Sequence, residues 1–289
     1  MSDSDLPAGV GKTALGVALV RAAESQRTDR LFDDPYAEAF LAAAPGAFDV
    51  EQRAAVAGTD DMASWGAAFW SHAVIRTRFF DDYLVGAAAN GIRQVVLLAA
   101  GLDTRAFRLR WQDAVRLYEL DFPEVLAFKE RVLTERTAVA RCERNTIGVD
   151  LRNDWTAPLL QAGLRTAEAT AWLAEGLMIY LTAEEAATLL IKVGALSAAG
   201  SRVAFEVDSL GTNAMRDEAR RAPAMQQYAQ LWKGGLPDAP RWLAEHGWRA
   251  EVRDRAAVTV DYGRTPAGPS TGGFVVATRV TDQGAAPSQ

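Results

Sequence analysis

The sequence predicts a doubly wound α/β fold, a mostly parallel sheet with helices on both faces. Three observations predict it. Short apolar runs alternate with helical patterns from residue 94 to residue 208. The first two runs, Val95 to Leu98 and Val115 to Leu120, are separated by a turn holding Gly101, Asp103 and Thr104 and then by a helical piece. That order is strand, turn, helix, strand. Finally, successive runs end in acids: Asp103 just after the first, then Asp121, Asp150 and Glu175. A doubly wound sheet lines such tips along one edge.

Composition sets the outer bounds. At 289 residues and 49% hydrophobic content, the chain can bury one large core or two modest ones, so an ordinary soluble protein is expected. A formal net charge of −6 leaves no basic footprint for phosphate backbones. Nucleic acid is therefore not an expected partner. Cys142 is the only cysteine, which excludes a disulfide framework and a cysteine-rich zinc site and fits a reducing cytoplasm. His72 and His246 are the only histidines, so no metal centre is expected either. No run of about 18 apolar residues is present to span a bilayer, and the start, MSDSDLPAGVGKT, lacks a signal pattern. A cytoplasmic protein without a membrane partner is the expectation.

The elements are taken in chain order. GVGKT at Gly9 to Thr13 resembles part of a phosphate-binding loop, yet Leu6 stands where its first glycine belongs and no strand precedes it. A helix starting at Thr13 is the plainer reading: Leu15, Ala18, Leu19 and Ala22 recur at helical spacing up to about Gln26. Pro35 after Asp34 opens a second short helix. Met62 to Ala89 is a long helical pattern rich in aromatics, with Arg76 and Arg78 embedded in it. Residues 1–91 thus read as a helical cap, joined to the first strand without a Gly/Pro/Ser-rich linker.

Gly101 permits a tight turn after the first strand, and Asp103 or Thr104 is placed to cap the next helix. Ligand atoms can then approach the amides at that helix start. Asp121 stands 20 positions after Gly101, the spacing at which a carboxylate on a second parallel strand meets ribose hydroxyls. Phe122 to Arg136 reads as a helix with Pro123 in its first turn. A third strand covers about Cys142 to Val149 and leads into Asp150 and Leu151. Trp155 to Leu164 is helical, and Ala169 to Ala174 is a fourth strand ending at Glu175. Thr182 and Glu185 form a capping box for a helix to Leu196, and Arg202 to Val207 is a fifth strand. Residues 209–246 read as an inserted helical lid. Two closing strands, Trp248 to Val252 and Gly273 to Thr278, fall within residues 247–281, and residues 282–289 read as a disordered tail.

The acids narrow the chemistry. An edge of carboxylates suits ribose hydroxyls, an adenine amino group and a cationic ammonium or sulfonium, and it repels a pyrophosphate. Any single acid here also fits a helix cap or solvated loop, so the set carries the reading. LAAGLDTRAFRL, YELDFPEVLAFKERVL, the Asp150–Leu151 pair and AEGLMIYLT together resemble the leucine carboxyl methyltransferase family of S-adenosylmethionine-dependent enzymes, its actinobacterial O-methyltransferase branch above all. The likeness runs from about Thr13 to Gly211. It implies a class I methyltransferase (Rossmann-like) doubly wound sheet, with an N-terminal helical cap and an inserted helical lid before the last strands.

The resemblance also implies roles. Gly101, with Ala99 and Asp103 in the same turn, matches the turn facing the methionine part of S-adenosylmethionine, and Asp121 matches the acid on the ribose. Asp150 and Leu151 match the pair at the adenine. Glu175 matches the acid near the methionine ammonium. Arg76 matches the arginine that meets a carboxylate of cofactor or substrate, with Arg78 as its rival. Ala99 is a departure, because the family often has glycine there.

For the small-molecule substrate the sequence leaves several readings open. A carboxylate needs no general base, whereas an alcohol or phenol does. His72, one helical turn before Arg76, faces the same cavity or is a packed helix residue. Tyr180 orients a substrate oxygen or belongs to the core. Arg21 is a further substrate candidate or a solvated arginine. Trp65, Phe69, Trp70 and Phe79 are core residues or a substrate wall, the latter implying an apolar, natural-product-like acid. Two other classes stay in view. A nicotinamide oxidoreductase needs a third fingerprint glycine that AAGLDT does not offer, and a module binding S-adenosylmethionine without catalysis would share every motif. The oligomeric state is not readable from the sequence.

Overall fold

The computed structural model describes residues 10–47, 63–112, 114–207, 231–266 and 272–280. Seven strands form one sheet in the order β3-β2-β1-β4-β5-β7-β6. They are β1 (Gln94–Leu98), β2 (Arg116–Asp121), β3 (Glu143–Gly148), β4 (Thr170–Ala174), β5 (Arg202–Val207), β6 (Trp248–Asp254) and β7 (Gly273–Arg279). The first five are parallel, and β7 enters antiparallel beside β5. β1 and β4 are apolar runs buried along their whole length, as central strands covered on both faces must be. Strand order reverses between them. Their carboxyl ends therefore open the crevice in which α/β sheets bind ligands.

The helices are α1 (Val10–Ser25), α2 (Ala37–Ala42), α3 (Ala63–Ala89), α4 (Arg105–Arg108), α5 (Pro123–Glu135), α6 (Thr156–Gln161), α7 (Ala183–Ala195), α8 (Ala239–Glu245) and α9 (Arg255–Asp261). Leu15 of α1, Phe40 of α2, and Phe80 and Leu84 of α3 pack in one cluster with Val95, Leu117 and Leu173 of the sheet. The other face carries Trp155, Trp172, Leu189 and Val203. Pro123 opens α5, and the Thr182–Glu185 capping box at α7 is formed in both directions.

Several boundaries depart from expectation. α1 begins at Val10, so Gly11, Lys12 and Thr13 lie in a helix and form no phosphate loop. The helix after β1 is only four residues long, because Leu109 turns extended and the Trp111 indole N–H donates to the Arg105 carbonyl at 2.9 Å. α8 falls at the end of the stretch read as a helical lid, and α9 lies where no helix is expected. α8 follows Asp238 in a left-handed conformation and buries only Ala239 and Leu243, too little for a periodic signal. α9 is rich in β-branched residues but starts on the Asp254 side chain, which accepts from the Ala257 amide. Residue 208, residues 209–230 of the expected lid and the expected tail lie outside the described residues. Among the described residues no helix is long and apolar enough to cross a membrane.

Candidate active site

The crevice starts at the turn after β1. Ala99 (φ 55°) and Gly101 (φ 49°) both adopt the left-handed region. Glycine enters it freely, whereas a side chain at Ala99 costs about 1–2 kcal/mol, a physical reason for the glycine usual there in the resembling family. The turn is closed by Asp121 at the tip of β2. Its carboxylate accepts from the Gly101 amide at 2.6 Å and from the Phe122 amide at 2.7 Å. Burial pushes the Asp121 carboxyl up, and those two amide bonds oppose it. Each oxygen keeps a lone pair for a further donor.

At the β4 and β5 tips the acids meet arginines. Arg76 of α3 bonds Glu175 at 2.9 Å and Glu206 at 3.1 Å. Its guanidinium passes within 3.5 Å of where a Cβ at Gly176 would stand, and Gly176 has φ +66°. The backbone conformation is what favours glycine there, since a Cβ would meet the guanidinium only in ordinary contact. Arg105 of α4 is fully buried and reaches Glu175 at 2.7 Å, Asp81 of α3 at 2.7 Å, and Asp103. Arg108 adds two bonds to Asp81, at 2.5 and 2.7 Å. Glu206 accepts the Gly176 amide at 3.0 Å.

The charge states are set by those contacts. Burial is the largest influence on Asp103 and Glu175 and would raise both, but for Asp103 the charges of Arg105, Lys129, Arg108 and Arg21 together outweigh it and hold the carboxyl at about 2. Glu175 is likewise held below its ordinary value by Arg105 and Arg76. Glu206, with Arg76 as its one large favourable charge, stays above it because burial dominates. Among the described residues the Arg76 Nη2 has no partner, so this arginine keeps one free edge.

The predicted residues separate accordingly. Ala99, Gly101, Asp103, Asp121, Glu175 and Arg76 gather at one crevice. Asp103 lies below its surface and bonds the Arg105 amide at 2.6 Å, so Asp103, and not Thr104, caps α4. Asp150 sits past the β3 tip, chelated by the exposed Arg152 at 2.6–3.0 Å. Leu151 is half-buried against the cluster under β2 and β3. Tyr180, half-buried in the turn after β4, stands near enough to Arg76 to act on its charge. His72 is half-buried, with Nδ1 3.0 Å from an Arg255 nitrogen. Arg78 turns away to the Leu31 carbonyl and Asp82, which resolves its rivalry with Arg76. Arg21 is neither solvated nor open to a substrate: it is buried, bonds the Leu102 carbonyl at 2.6 Å and lies 3.4 Å from Asp34. Phe79 is core, stacked on Phe274 at 4.4 Å. Phe69 and Trp70 pack on Val20, Phe32, Ala73 and Val74. The Trp65 side chain lies outside the described residues.

Sequence reasoning missed Asp81, Arg105, Glu206 and Arg255. Glu206 had a usable signal, since it continues the acid-at-the-tip pattern on β5. Arg105 and Asp81 had none, because their pairing joins positions 24 residues apart on different elements.

Comparison with known proteins gives a consistent result. The family model described as leucine carboxyl methyltransferase matches residues 14–194. A Frankia alni protein, provisionally named an S-adenosyl-L-methionine-dependent methyltransferase, is 51% identical over 95% of this chain and 96% of its own. A Streptomyces coelicolor protein of the same provisional name is 44% identical over 89% of both chains. Among solved structures, a DUF574-family protein from Streptomyces avermitilis superposes with a TM-score of 0.55 at 16% identity, covering 91% of this chain and 96% of that one.

Proposed function

Since the chain belongs to the leucine carboxyl methyltransferase family of S-adenosylmethionine-dependent methyltransferases, we propose that it methylates a carboxylate oxygen of a small apolar, natural-product-like acid. S-adenosylmethionine supplies a methyl group on a sulfonium, which an acceptor oxygen displaces in line. The residues at the crevice fit that cofactor. Asp121 offers lone pairs to ribose hydroxyls, Asp150 and Leu151 flank the adenine end, and Glu175 with the free edge of Arg76 suits an amino acid's ammonium and carboxylate.

One observation carries the choice of acceptor. Glu175 and Glu206, the acids beside Arg76, are both committed to arginine or to a backbone amide, and the imidazole on α3, His72, has its Nδ1 against Arg255. A carboxylate acceptor needs no base, while a hydroxyl would have to surrender a proton. The protein's task is then to align acceptor and methyl group and to exclude water. In this reading Arg76, Tyr180 and His72 meet the acceptor.

The test uses methyl-labelled cofactor with matched acids, alcohols and phenols. A methyl ester loses its label as methanol in mild alkali, and base-labile label on acids alone is expected. Base-stable label on an alcohol or phenol would overturn the carboxyl acceptor. S-adenosylhomocysteine at a hundred times its dissociation constant should stabilise the fold by about 2.7 kcal/mol. A stable complex that never turns over any acceptor would favour a binding module instead.

A further inference from the structure

His72 sits one turn before Arg76 on α3, and its Nδ1 lies 3.0 Å from Nη1 of Arg255. A guanidinium carries donors only, so Nδ1 must be the acceptor. A neutral imidazole that accepts at Nδ1 carries its proton on Nε2. Burial, with the charges of Arg76 and Arg255, holds the ring well below the ordinary histidine value. Nε2 has no hydrogen-bond partner among the described residues and is not among their sealed polar atoms.

The contact is built from both sides. Arg255 is the first residue of α9, and its amide donates to the Gly272 carbonyl at 3.2 Å. α9 is tied to α3 further along, where the Tyr262 hydroxyl donates to Asp82 at 2.9 Å and Arg78 lies over the Tyr262 ring. The chain beyond α9 is tied to the N-terminal cap by Arg264, paired with Glu24 and Asp29 at 2.7 Å. The helix bearing Arg255 is thus fixed against the helix bearing His72.

We infer that His72, oriented by Arg255, is a neutral hydrogen-bond donor through Nε2 to the carboxylate of the acceptor, and is not the base of the reaction. Arg255 is its positioning residue. The inference rests on the carboxyl-acceptor reading. A base would need an open lone pair facing the substrate, and here the lone pair faces Arg255. A donor beside two guanidinium groups favours an anionic oxygen and leaves it unprotonated, ready to attack.

The chain holds only two histidines, so a two-bond ¹H–¹⁵N spectrum of the full-length, histidine-labelled protein contains two rings, and H246Q assigns them. With S-adenosylhomocysteine bound at pH 7, the His72 ring should show the neutral Nε2–H pattern. R255M should mix the tautomers, and R255K, which still offers only donors, should restore the pattern. Octanoate and benzoate should then shift the Nε2 resonance, while octanol and benzyl alcohol leave it in place. H72F should raise KM for an acid acceptor at least tenfold without changing the affinity for S-adenosylhomocysteine. An Nδ1–H or doubly protonated ring, or an Nε2 signal that neither acid moves, overturns the inference. Base-stable product with the Nε2–H pattern intact overturns the acceptor class alone, so the two failures are distinguishable.

Discussion

The two halves of the sheet edge carry the same residue class in opposite electrostatic settings. On the β1–β2–β3 side, Asp121 is held by backbone amides, and Asp150 by one exposed arginine. At the β4–β5 tips, Glu175 and Glu206 are locked to Arg76 and the buried Arg105, which also ties in Asp103 from the turn after β1, with Asp81 and Arg108 behind them. The edge is therefore not uniformly acidic. One half keeps acceptor capacity for neutral hydroxyl and amino donors, and the other is a network of four carboxylates and three arginines with one free guanidinium edge. An acid at a strand tip tells the chemistry of a site only when its counter-charge is known.

The sharpest way to break this contrast is Arg105→Met. It takes a guanidinium from Glu175 and Asp81, which keep Arg76 and Arg108, and leaves the buried Asp103 without its arginine partner, so it should cost about 3–5 kcal/mol of unfolding free energy in urea titration. A loss under 1 kcal/mol would mean that the network is not buried as described. Asp121→Ala acts on the other half. It should leave the fold largely intact yet weaken S-adenosylhomocysteine by about 1.5–3 kcal/mol in calorimetry, the scale of hydrogen bonds to a charged group. An unchanged affinity would remove Asp121 from the site.

The network should also show in acid. Asp103 has a folded value near 2, below its unfolded value near 3.8, so its contribution is complete above the unfolded value and is lost as pH falls towards 2. Roughly 2 kcal/mol should disappear over that window relative to Asp103→Asn. Equal acid slopes in the two proteins would refute the assignment. Ala99→Gly relieves a left-handed alanine but loosens the unfolded chain, so a net gain of at most about 1 kcal/mol is expected in thermal melts. A loss of stability would show that the alanine methyl packs usefully. Arg152→Ala removes only an exposed pair and should change stability by under about 1 kcal/mol. A larger effect would erase the difference between the two halves.

Legibility followed the range of the interaction. The Thr182–Glu185 box, Pro123 at the start of α5 and the alternation of strands with helices are local features, and they placed β1 to β5 within a residue or two. α9 was not legible, because Val258, Thr259 and Val260 favour strand and its helix depends on its seat against α3, β6 and β7 as well as on the Asp254 cap. Arg76 was readable as an arginine near the site, but Arg78 was equally so by spacing. The rotation of α3 separated them, burying one against Glu175 and sending the other to Asp82.

The sequence by itself determined the sheet, its crevice and the acids at the strand tips, since these arise from periodicity, turn residues and spacing within a few dozen positions. Only the tertiary structure decided which acids are neutralised by arginines, which are held by backbone amides, and which nitrogen of His72 meets Arg255. Those depend on pairs such as Arg76 with Glu175, Arg105 with Asp81 and His72 with Arg255, up to 183 residues apart in the chain. Charge interactions set by distance in space leave no pattern along the sequence.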